Sequence, residues 1–88
     1  MQNLTHKRIH VMKLYLLTQK QVSGYDTYDS AVVCAESAKK AKKIHPRGGK
    51  WTNSGSWASS PEHVKVECLG QARRGFSEGV ICASFNAG

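Results

Sequence analysis

Apolar residues gather along this chain in short runs separated by polar, glycine- and serine-rich stretches. The first run, Leu14, Tyr15, Leu16 and Leu17 within residues 13–18, predicts a short β-strand covered on both faces. Residues 19–29 hold Ser23, Gly24, Asp26 and Asp29 and predict a loop or wide hairpin turn. Residues 30–35 are small, β-branched and apolar, as suits a second strand set closely against its neighbours. Residues 63–69 alternate, with Val64, Val66 and Cys68 on one face and Lys65 and Glu67 on the other. A turn over residues 70–78, containing Arg73, Arg74 and Gly75, leads to a last strand over residues 80–85.

One segment changes period. Ser37 is suited to cap a helix, because its hydroxyl can accept a backbone N–H from the first turn. Ala38, Ala41, Ile44 and His45 then recur at helical spacing and form the expected inner stripe, with Lys39, Lys40, Lys42 and Lys43 between them. Pro46 ends the helix and Arg47-Gly48-Gly49 continues as loop. A helix this short does not persist alone in water, so contact with the sheet must hold it. Residues 47–61 are rich in Gly, Ser and Asn yet carry Trp51 and Trp57, at least one of which is expected to fold back onto the domain.

The order β-β-α-β-β predicts a small α+β fold: a four-stranded, mainly antiparallel sheet with one short helix on a face. Residues 1–11 show no sustained period and are expected to form a flexible extension. Residues 12–88 form the single domain, with either Met1 or Met12 as the natural start. A chain of 88 residues suits one domain, and no apolar run approaches the ~20 residues a membrane-spanning helix needs. The apolar stretch over residues 11–17 is short for a signal peptide and runs on into Thr18, Gln19, Lys20 and Gln21, so the chain is expected to stay in the cytoplasm. Three widely spaced cysteines, Cys34, Cys68 and Cys82, make no disulfide framework and read as buried small hydrophobes.

Charge adds more than composition does. Thirteen Lys and Arg against six Asp and Glu leave +7, which favours an anionic partner. Lys39, Lys40, Lys42, Lys43, His45, Arg47 and Lys50 form a basic cluster, and Arg73 and Arg74 add to it from a later turn. Such a cluster either neutralises phosphates, with Trp51 and Trp57 available to stack bases, or is a solvated helix face favoured by the helix dipole. Tyr25, Asp26, Tyr28 and Asp29 make an acidic, aromatic stretch that reads as an interaction surface or as turn chemistry. The cysteines and histidines have no metal-ligand spacing, and no phosphate-cradling glycine motif occurs. No metal, no cofactor and no enzymatic activity are expected.

The stretches KLYLLTQ at 13–19, GYDTYDSAVVCAES at 24–37, KKIHP at 42–46 and GVICASFNAG at 79–88 resemble a family of short proteins encoded by bacteriophages and prophages. That family has no assigned activity, so the resemblance transfers no functional residues; it implies a phage setting in the cytoplasm of a bacterial host. Together with size, charge and aromatics it suggests a non-enzymatic protein that docks onto a bacterial host protein, such as one of host defence or host takeover. Tyr25, Asp26, Tyr28, Asp29, Trp51 and Trp57 would form the contact, the lysine helix steering the approach. On that reading Tyr25→Ala or Trp57→Ala abolishes binding with the fold intact. Two alternatives remain: nucleic-acid binding through Lys39, Lys40, Lys42, Lys43, Arg47, Lys50, Arg73 and Arg74, or capture of a phosphorylated nucleotide by the same cations. Oligomeric state stays open.

Overall fold

Two apolar strands form the centre of the sheet. β1, Lys13–Thr18, pairs antiparallel with β2, Thr27–Ala35, with Tyr15 opposite Val33 and Leu17 opposite Ala31. The computed structural model describes residues 11–51 and 55–87, so the expected amino-terminal extension lies, apart from Val11, outside the described residues. β3, Lys65–Gln71, adds antiparallel to the free side of β1, and β4, Gly79–Asn86, adds antiparallel to β2. The resulting order is β3-β1-β2-β4, a small α+β fold in which every neighbouring pair is antiparallel.

Residues directly opposite in an antiparallel pair share a face. Tyr15, Leu17, Ala31, Val33 and Ala35 therefore point to one side, where each is at most 4% exposed. Ala41, Trp57, Ala58 and Val64 close over them. Leu14, Leu16 and Val32 alternate onto the other side and are only half-buried, although Cys34, opposite Leu14 on that side, is buried. The expectation that β1 is covered on both faces is thus corrected: the single helix and one loop suffice to cover one side.

The helix is also shorter than its lysine spacing suggests. α1 spans Ala38–Ala41, and Ser37 caps it by accepting the Lys40 N–H at 3.2 Å. Beyond it, Lys43 and Ile44 donate to the carbonyls of Lys40 and Ala41, three residues back, so the chain tightens rather than continuing as α-helix. Pro46 bars any helix beyond His45, since the residue before a proline is driven out of the helical region, but α1 has already ended at Ala41. Of the expected stripe, Ala41 and His45 are buried and Ile44 half-buried, but Ala38 is exposed.

Long-range pairing moves the other boundaries. β2 starts at Thr27 because Thr27 and Tyr28 pair with Asn86 and Phe85, which converts part of the expected loop into strand. β3 starts two residues later than expected, after a 3₁₀ turn at Pro61–His63. Cys34 is buried, whereas Cys68 and Cys82 are exposed, because β3 and β4 are the two edges of the sheet. No helix among the described residues is long and apolar enough to cross a membrane.

Candidate functional site

The β1–β2 connection is held from within by one side chain. Gln19 donates through Nε2 to the carbonyls of Val22 and Tyr28, and its Oε1 accepts the N–H groups of Gln21 and Val22. Gln21 in turn accepts both the N–H and the hydroxyl of Ser59, tying this hairpin to the tryptophan loop. Asp26 takes the left-handed backbone (φ 60°) that short polar residues tolerate, and its N–H donates to the Asn86 carbonyl. Thr27 Oγ1 donates to the Gly24 carbonyl at 2.7 Å, and Asp29 accepts from Asn86 Nδ2 at 2.8 Å. Asp29 therefore joins two strands instead of capping its own turn.

These contacts sort the aromatic residues. Tyr25 stands out at 78% exposure. Tyr28 is half-buried, its ring 4.8 Å from that of Phe85 and edge-on to His45 at 6.4 Å. Trp51 is half-buried, edge-on to His45 at 5.2 Å, and its indole N–H donates to the Ser59 carbonyl at 3.2 Å. Trp57 is only 2% exposed and belongs to the core. It cannot be part of an exposed contact surface, nor can it stack bases, because its ring is buried in the same core cluster as Leu17 and Val33. Tyr25, Asp26 and Asp29 thus remain as an exposed group at the hairpin end, while Trp51 and Trp57 serve the loop and the core.

His45 sits at the junction of helix and loop, buried, with Nδ1 accepting the Arg47 N–H at 3.1 Å. That bond leaves the proton of the neutral ring on Nε2, which has no hydrogen-bond partner among the described residues. Burial first, and the nearby Arg47 charge second, push its pKa below the ordinary histidine value. The unfolded chain therefore binds this proton more readily than the folded one. Its stabilising effect is complete above pH ~6.5 and is lost as pH falls through that value toward the lower folded pKa. Thermal melts at neutral and mildly acidic pH should show this loss, and His45→Phe should flatten it. An equal acid sensitivity in both proteins would remove His45 as its source.

The basic residues are divided by the fold. Lys39, Lys40, Lys43, Arg47 and Lys50 are exposed around α1 and the loop after it, and Lys42 is half-buried. Lys40 is engaged by Glu36 at 2.6 Å, which raises its pKa through that hydrogen bond and the accompanying charge. Arg73 and Arg74 lie in the β3–β4 connection, where with Val11, Met12 and Phe76 they line a cavity of about 280 Å³. The length of β3 separates them from the lysines of α1, which sit against the opposite, Val64–Val66 end of that strand. They do not form one patch.

Pattern reasoning missed two groups. Lys65, read only as the outward face of a strand, stands beside Lys39 and Lys42 because β3 runs next to α1. Ile81 and Phe85, read only as part of the last strand, are 42% and 46% exposed because β4 is an edge. Only the strand order reveals either. Chemically, Cys34 is held as a protonated thiol, its pKa raised by burial and then by the Glu78 carboxylate. Among the described residues no three His, Cys, Asp or Glu side chains are grouped as metal ligands. A scan against protein-family models and searches of curated proteins and of solved structures return no match to this chain.

Proposed function

We propose that this chain is a non-enzymatic binding protein that docks onto a bacterial host protein, of defence or of the machinery a phage takes over, through its β4 edge. One observation carries the docking surface. β4 runs for eight residues, Gly79–Asn86, with no charged side chain, and it exposes Ile81, Cys82 and Phe85 along an edge that no other described strand pairs. Edge strands normally carry charge that discourages further pairing; β3, at the other edge, has Lys65 and Glu67. A neutral edge offers backbone donors and acceptors to an added strand, and its outward side chains give that strand something to recognise. Tyr25, Asp26 and Asp29 lie where β4 ends, since Asp26 and Asp29 both bond Asn86, so they extend the same surface. The bacterial setting rests on the likeness to phage-encoded sequences.

The test is an affinity capture from bacterial lysate, run with and without nuclease treatment, with the parent chain and Ile81→Lys side by side. A discrete protein held by the parent and lost from the variant, with both folded by circular dichroism, supports the reading. Equal capture by the two removes β4 from it. Recovery of nucleic acid alone, lost on nuclease treatment or in moderate salt, moves the function to the lysines.

A further inference from the structure

A cleft of about 410 Å³ opens between α1 and the start of β3, lined by Ala38, Lys39, Lys42, Val64, Lys65 and Val66. Its floor is aliphatic and its rim is cationic. Val64 is buried and Val66 half-buried, while Lys39 and Lys65 are exposed and Lys42 half-exposed, so all three lysines that line the cleft are open to solvent. Among the described residues none of these three lysines has a hydrogen-bond or ion-pair partner; the ion pair nearby belongs to Lys40 and Glu36. Holding three like charges around one depression is unfavourable, and an opposite charge bound there relieves it.

We propose that this cleft binds an acidic peptide segment, with one aliphatic side chain on the Val64–Val66 floor and flanking carboxylates on Lys39, Lys42 and Lys65. Charge complementarity selects the acid, and the floor selects a peptide over a nucleic acid. No ring lines the cleft to stack a base, Trp57 is buried, and the Trp51 indole N–H is already bonded to Ser59. Phosphates alone gain nothing from the floor, whereas an aliphatic side chain buries apolar surface there. Since β3 and β4 are opposite edges of the sheet, the cleft is independent of docking at β4 and stands or falls separately.

The probe is a short acetylated peptide with one leucine flanked on both sides by glutamates, titrated into ¹⁵N-labelled full chain at low salt. The amides of Val64, Lys65 and Val66 should shift. Binding should disappear with glutamine in place of the glutamates, and weaken about tenfold or more with serine in place of the leucine. Lys65→Glu should abolish it and Lys39→Gln weaken it, with the rest of the spectrum unchanged. Shifts confined to other residues, or undiminished binding to Lys65→Glu, would overturn the proposal. So would a short single-stranded oligonucleotide that moves these amides where the peptide does not.

Discussion

Trp57→Ala should unfold the domain or leave it molten, not merely unable to bind. The indole is 2% exposed and packs in the cluster that contains Tyr15, Leu17 and Val33. Truncating a buried tryptophan costs about 3–5 kcal/mol through lost transfer free energy and the cavity left behind. An 88-residue domain has a total stability of about 4–13 kcal/mol at ordinary per-residue values. The loss is thus a large share of the whole, and it lowers the melting temperature by ~12 °C or more at the ~4–8 °C per kcal/mol expected for this size. Circular dichroism melts and amide dispersion in a ¹⁵N spectrum measure it. Tyr25→Ala, at a site 78% exposed, serves as the control and should change stability by no more than about 0.5 kcal/mol. A Trp57→Ala melt within a few degrees of the parent would mean that the loop residue does not close the core. The pattern-based expectation that Trp57→Ala spares the fold is reversed by its position.

The two tryptophans show why the sequence carried the fold further than the site. Both lie in one glycine- and serine-rich stretch, and nothing local distinguishes them. Trp57 enters the core because Tyr28 N–H bonds the Ser56 carbonyl at 2.8 Å and Gln21 holds Ser59, contacts made across 28 and 38 residues. Local features fared better. Ser37 caps α1 as its hydroxyl chemistry suggests, and the alternation over residues 63–69 holds for Val64 and Val66 inward and Lys65 and Glu67 outward, though not for Cys68, which is exposed. The β-β-α-β-β order also led to a four-stranded antiparallel sheet with one helix. That order does not say which strands become edges. Pairing of β3 with β1 and of β4 with β2 is what exposes Cys68, Cys82, Ile81 and Phe85, and what brings Lys65 beside α1. The basic cluster was legible as charge and illegible as shape: Arg73 and Arg74 fall away at the other end of β3, Lys40 is neutralised by Glu36, and Lys65 joins.

Leu17→Ala should cost about 2–5 kcal/mol, and Leu16→Ala clearly less, although the residues are adjacent and identical in type. Leu17 is fully buried between Ala31 and Val66, its partners on β2 and β3, with Trp57, Ala58 and Val64 completing the cluster. A methyl in place of its isobutyl group leaves a cavity that neither neighbouring strand can close, because both are fixed by the sheet. Leu16 points to the other side, opposite Val32 and Glu67, and remains half-exposed. There water fills the vacated space, and only the buried part of the side chain is lost. Urea titrations of both variants with a shared slope give the two free energies directly. Equal losses would mean that the second face of β1 is covered as fully as the first, which is what the apolar run in the sequence implied. A large gap between them would instead establish that the sheet is covered on one side only. The sheet then has an apolar surface continuous from Leu14, Leu16 and Val32 toward Cys82 on β4, beside the edge through which docking is proposed.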